Sequence, residues 1–135
     1  MQNKLRLIID TNLWISFLLT KDYAKLDRLF DTNTLTLLFS EELLAEFIEA
    51  AQRPKFTKYF STRDLKTLLR EINNQAEFIN VVSSVTLCRD EKDNFLLALA
   101  TDGNADYLII GDKDLLILNK INDTEILSFT DFLQK

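Results

Sequence analysis

Histidine is absent from this 135-residue chain, which also carries only one Cys, one Pro, one Trp and two Gly. Without histidine no ordinary side chain titrates near neutral pH, so hydrolysis by a histidine pair is excluded, as is a Cys/His zinc site. Cys88 alone cannot close an internal disulfide. So little Gly and Pro leaves no room for a flexible linker or low-complexity tract. The opening residues are mostly polar up to Arg6 and then apolar only from Leu7 to Ile9, which is neither a secretory signal nor a membrane span. These absences point to the cytoplasm, and they leave any hydrolytic work to carboxylates, with or without a metal. Sixteen Lys and Arg against 21 Asp and Glu give a net charge of −5. That balance argues against non-specific coating of DNA but leaves room for a local basic patch.

What the chain does have is aliphatic residues and ten Phe, enough for a core in one domain spanning residues 1–135. Leu5 to Ile9 fits a buried strand with Asp10 at its carboxyl end. Leu13 to Leu19 and Tyr23 to Phe30 read as helical, and Thr34 to Phe39 as a second strand. Ser40 before Glu41 and Glu42 is an N-cap signature for a helix to Gln52, stopped by Arg53-Pro54. Thr62 to Asn73 aligns Leu65, Leu68, Leu69 and Ile72 on one face of another helix. Phe78 to Val82, Tyr107 to Ile110 and Glu125 to Phe129 are three more strand candidates, with a short helix from Asp131. Between the first two, Asp93 leads an almost wholly apolar helix over Asn94 to Thr101. Strands alternating with helices predict an α/β fold of three layers, α/β/α, around a parallel sheet of about five strands, with ligands beyond the strands' carboxyl ends.

Each acid has a local reading: Asp10 an Asx-turn, Asp93 an N-cap, Asp112 and Asp114 a loop, Glu46 a solvated helix position. The topology, however, brings the first strand, the fourth strand and the start of the apolar helix to one sheet edge. Carboxylates gathered there repel one another and raise one another's pKa unless protons or a cation offset the charge. Mg2+ takes oxygen ligands and keeps several waters, which suits a carboxylate site open to a phosphate, and phosphodiester hydrolysis is the reaction such a site fits. Glu46 borders the apolar stripe of its helix, a placement that permits a partly buried role.

Four segments together resemble the PIN-domain family, in particular bacterial PIN proteins that are toxins of toxin–antitoxin pairs. They are Leu7-Ile8-Ile9-Asp10-Thr11-Asn12 with Ser16, the helix start from Ser40 to Glu46, Asp93 ahead of Leu96-Leu97-Ala98-Leu99-Ala100, and Ala105 to Asp114. The resemblance covers nearly the whole chain. It implies that Asp10, Glu46, Asp93 and Asp112 match the family's acidic metal site, with Asp114 as a further metal-binding acid and Asn12 and Ser16 supporting the first aspartate. It implies a Mg2+- or Mn2+-dependent endoribonuclease acting on single-stranded RNA, with an antitoxin protein as partner and a homodimer as a common state. One departure is Gly111 before Asp112, where many relatives have Thr or Ser.

Arg53, Lys55 and Lys58 interleave with Phe56, Tyr59 and Phe60, and this mixture suits RNA, cations on phosphates and rings on unpaired bases. The rings could equally pack a helical hairpin while the lysines face water. Lys21, Lys25 and Arg28 form a second basic cluster with the same two readings. Asn12, two residues after Asp10, departs from the second acid that a haloacid dehalogenase would need. The remaining alternative is a PIN-fold module that binds RNA or an antitoxin without catalysis.

Overall fold

The computed structural model describes residues 4–134 except 22, 23, 25, 26, 29, 31–33 and 112. In chain order its elements are β1 (Leu5–Ile9), α1 (Thr11–Thr20), β2 (Leu35–Phe39), α2 (Glu41–Ala51), α3 (Pro54–Thr57), α4 (Thr62–Gln75), β3 (Glu77–Phe78), α5 (Glu91–Gly103), β4 (Tyr107–Ile109), α6 (Lys113–Leu116), β5 (Lys120–Ile121), β6 (Thr124–Leu127) and α7 (Phe129–Leu133). The sheet order is β3-β2-β1-β4-β6-β5. Every pairing is parallel except β5 on β6. Leu7, Ile8 and Ile9 are all buried, and consecutive burial is what a central strand covered on both faces requires.

Side-chain alternation along β2 identifies the two covering layers. Phe39 points to the face of α1 and α2, where Trp14 lies 5.8 Å from its ring centroid and 6.3 Å from that of Phe47. Leu38 points to the other face, where it packs so closely on Gly103 of α5 that a Cβ there would fall 2.9 Å from Leu38 Cδ1. Helices thus cover both sides of a mostly parallel sheet, in the expected three layers.

The expected strands and helices recur with shifted ends. The strand expected over Phe78 to Val82 is a ladder only at Glu77 and Phe78. Beyond it the Asp102 carboxylate accepts from the amides of Val82 (2.6 Å) and Ser83 (2.9 Å), which are thereby tied to α5 instead of a neighbouring strand. The last parallel strand stops at Leu127 because Ser128 caps α7, its Oγ accepting from Asp131 N at 3.1 Å. The sheet has a sixth strand, β5, which turns into β6 through Asn122 (φ 51°) and Asp123, an Asn-Asp pair suited to a two-residue hairpin. Of the helix expected from Tyr23 to Phe30, residues 23, 25, 26 and 29 lie outside the described residues.

Candidate active site

Asp10 continues β1 by one residue, its amide donating to Ile109 O at 3.1 Å, and then caps α1. Oδ1 accepts from Leu13 N at 2.9 Å and Oδ2 from Gly111 N at 3.2 Å, while the residue is only 6% exposed. A buried carboxylate needs such donors, and the helix N-terminus adds a favourable dipole. The N-cap bond serves the local reading of Asp10. The Gly111 bond does something else, because it ties the end of β1 to the residue immediately before Asp112. A Cβ at Gly111 would meet nothing closer than 3.8 Å and its φ is not positive, so the glycine there is not sterically required.

Glu46 lies on the helix that follows the neighbouring strand. The parallel register Leu7↔Leu37 sets Asp10 alongside Ser40. Ser40, fully buried, caps α2 through Oγ to Leu43 N at 3.0 Å. Glu46 is half-buried on α2, which packs against α1. Asn12 is exposed and Ser16 half-buried, one turn apart on the same face of α1.

Asp93 is half-buried in the first turn of α5. The helix cap is Asp90, whose carboxylate accepts from Lys92 N at 2.9 Å, and Asp93 stands in the first turn after it. The helix runs opposite to the strands: the carbonyl of its last residue, Gly103, accepts from Arg6 Nε at 2.8 Å near the start of β1. Its first turn therefore lies toward the carboxyl ends, about 20 Å away along 13 residues. The segment leading into it is clamped by Asn94, whose Oδ1 accepts from Cys88 N at 2.8 Å and whose Nδ2 donates to Cys88 O at 2.9 Å. The Cys88 thiol is pushed above its usual pKa by burial first, then by the charges of Asp93 and Asp90, and so stays protonated.

Asp112 and the side chain of Asp114 lie outside the described residues; the backbone of Asp114 is in α6. Among the described residues no three Asp, Glu or Cys side chains group as a metal site. The donors that the topology directs to this edge are all carboxylates, a set that fits a hard divalent cation and not a soft one. The basic cluster is set apart from them. Arg53 follows α2, whose 11 residues extend about 16 Å from Ser40, and it pairs with Glu49 at 3.5 Å. Lys55 lies over Phe56 (5.0 Å) and Lys58 over Tyr59 (5.5 Å). The rings divide: Phe60 joins the core, whereas Tyr59 is 58% exposed. Lys21 and Arg28 are exposed, and Lys25 is outside the described residues. The Asn94 clamp and the Asp102 tether went unseen in the sequence, since both depend on loop partners that carry no periodic signal.

An uncharacterized protein of Methanocaldococcus jannaschii is 30% identical to this chain over 123 residues, covering 88% of this chain and 78% of the relative. No solved structure matches it significantly. The family model for the PIN domain matches residues 6–114, a span that includes Asp10, Glu46, Asp93, Asp112 and Asp114. PIN domains are generally nucleases and usually use divalent metals such as Mg2+. With its α/β/α layers and this match over most of its length, the chain belongs to the PIN-domain family.

Proposed function

We propose that this protein, folded as one domain over residues 1–135, is a Mg2+- or Mn2+-dependent endoribonuclease of single-stranded RNA in the cytoplasm, and the toxin of a toxin–antitoxin pair whose antitoxin is its partner. The observation that carries this reading is the Asp10 carboxylate, buried at the end of β1 and bonded to the amide of Gly111 just ahead of Asp112. Asp10, Asp93, Asp112 and Asp114 hold the metal, Glu46 completes the catalytic set with Asp10, Asp93 and Asp112, and Asn12 and Ser16 support the first aspartate. When bound, the cation supplies the positive charge that activates water and offsets charge building on the phosphate. The chain's own part is to hold carboxylates rigid: backbone amides fix Asp10, and the Asn94 clamp fixes the approach to Asp93. Arg53, Lys55 and Lys58 steer the RNA backbone from outside the acidic edge. Homodimerisation is part of the same proposal.

The test is cleavage of a mixed single-stranded RNA pool by purified protein with Mg2+, Mn2+ or EDTA, beside Asp10→Asn and Asp93→Asn. Metal-dependent cutting that both substitutions abolish is the expected result. No cutting under any condition, together with no metal binding by calorimetry, leaves a PIN-fold binding module as the reading.

A further inference from the structure

Beside Asp93 there is a cavity of about 440 Å³, within the range of small-ligand sites. One wall is the segment before α5, with Leu87, Arg89 and Asp90; the other is Ile117 and Leu118, just after α6. The proposed metal ligand Asp93 itself lines the cavity. Leu87 is 66% exposed and Ile117 81% exposed, large aliphatic side chains left facing this opening. The Asn94 bonds to both backbone groups of Cys88 keep the first wall in place.

We propose that this cavity is a subsite for one unpaired nucleobase of the RNA, next to the scissile phosphate; the assignment rests on the nuclease reading above. The chemistry of the walls fits that occupant. Leu87 and Ile117 offer apolar surface to a flat ring. Arg89 offers a planar cation for the adjoining phosphate or for stacking. The Asp90 carboxylate, which uses Oδ1 for its cap, has Oδ2 as an acceptor for a base amino group. A base seated here leaves its sugar–phosphate link toward Asp93, so the subsite sets which bond is cut.

The experiment is fluorescence anisotropy with a short labelled single-stranded RNA and Mg2+, in an Asp10→Asn background that prevents turnover. A parallel series replaces each nucleotide in turn with an abasic one. Adding Leu87→Ala and Ile117→Ala, exposed positions whose truncation leaves the fold intact, should weaken binding about tenfold. One abasic position should weaken the parent by a similar factor and cost the double variant nothing more. If the double variant binds as tightly as its parent, or every abasic loss is undiminished in it, the subsite is overturned; the patch would then suit an apolar side chain of a protein partner. Coupled losses in a protein that cuts no RNA would uphold the subsite and overturn the nuclease reading, so the two fail separately.

Discussion

Asp10 is at once a helix cap and the proposed first metal ligand, and two substitutions at this one residue separate the roles. Asparagine caps helices as well as aspartate does, so Asp10→Asn should keep the Leu13 bond, but its Nδ2 cannot accept from Gly111 N, so it should cost about 1 kcal/mol while cleavage is lost. Asp10→Ala removes the partner of Leu13 N and Gly111 N together and should cost about 2 kcal/mol or more in urea unfolding. Equal stability of the two variants would mean the cap bond contributes nothing. Gly103 is a second single-residue test. Its Cβ would sit 2.9 Å from Leu38 Cδ1 and 3.3 Å from Ile79 Cγ1, and Leu38 is fully buried. Gly103→Ala should therefore destabilise by about 1–3 kcal/mol through overpacking, despite alanine's better helix propensity, whereas Gly111→Ala makes only ordinary contact with Leu13, at 3.8 Å, and should be near neutral by the same measurement.

At the scale of elements, β3 is only two residues long, and side chains reinforce it. Arg6 of β1 reaches over β2 to Glu77, with guanidinium–carboxylate distances of 2.7 and 3.1 Å. The hydrogen bond from Arg6, above all, holds the Glu77 carboxyl below its usual pKa, and the same bond raises Arg6. A carboxylate depressed on folding adds stability above its unfolded pKa and loses it as pH falls through the folded one. The pair therefore contributes at neutral pH and fades in acid, below the ordinary carboxylate range. Glu77 is half-exposed, so solvent screening keeps the contribution under about 1 kcal/mol. Glu77→Gln should show that small deficit in urea midpoints at pH 7 and approach the parent as pH falls below the ordinary carboxylate range; a gap that does not narrow in acid would refute the electrostatic account. Sequence periodicity located β1, β2, β4, α2 and α4 because each has a one-sided or continuous apolar pattern. It placed β3 too long because Val82 and Ser83 find their hydrogen-bond partner in the distant Asp102, and it missed β5 because a two-residue strand paired within its own hairpin is too short to show a periodic pattern.

For the whole molecule the proposed cation is a folding ligand as well as a catalytic one. The carboxylates directed to one edge repel in its absence, so binding to the folded state alone stabilises by mass action. At a Mg2+ concentration 100 times the dissociation constant the gain is about 2.7 kcal/mol, which is several degrees in the midpoint of a chain this size. Thermal unfolding with Mg2+ or EDTA should show that rise in the parent and little of it in Asp93→Asn. An identical rise in both would place the ion elsewhere. Among the described residues no helix is long and apolar enough to cross a membrane.

By itself the sequence determined the layer order and the candidate acids. A buried parallel strand must be a continuous apolar run, and the residue that ends it must be polar, so Leu7-Ile8-Ile9-Asp10 announces both the strand and the edge it points to. Only the tertiary structure decided what each acid does locally. Asp90 rather than Asp93 caps α5, Asp102 serves the 82–83 loop, and Gly111 reaches across from β4 to Asp10. Those assignments depend on contacts between residues 19 to 101 positions apart in most cases, and such pairings are set by how whole elements pack, a quantity that no local run of residues contains.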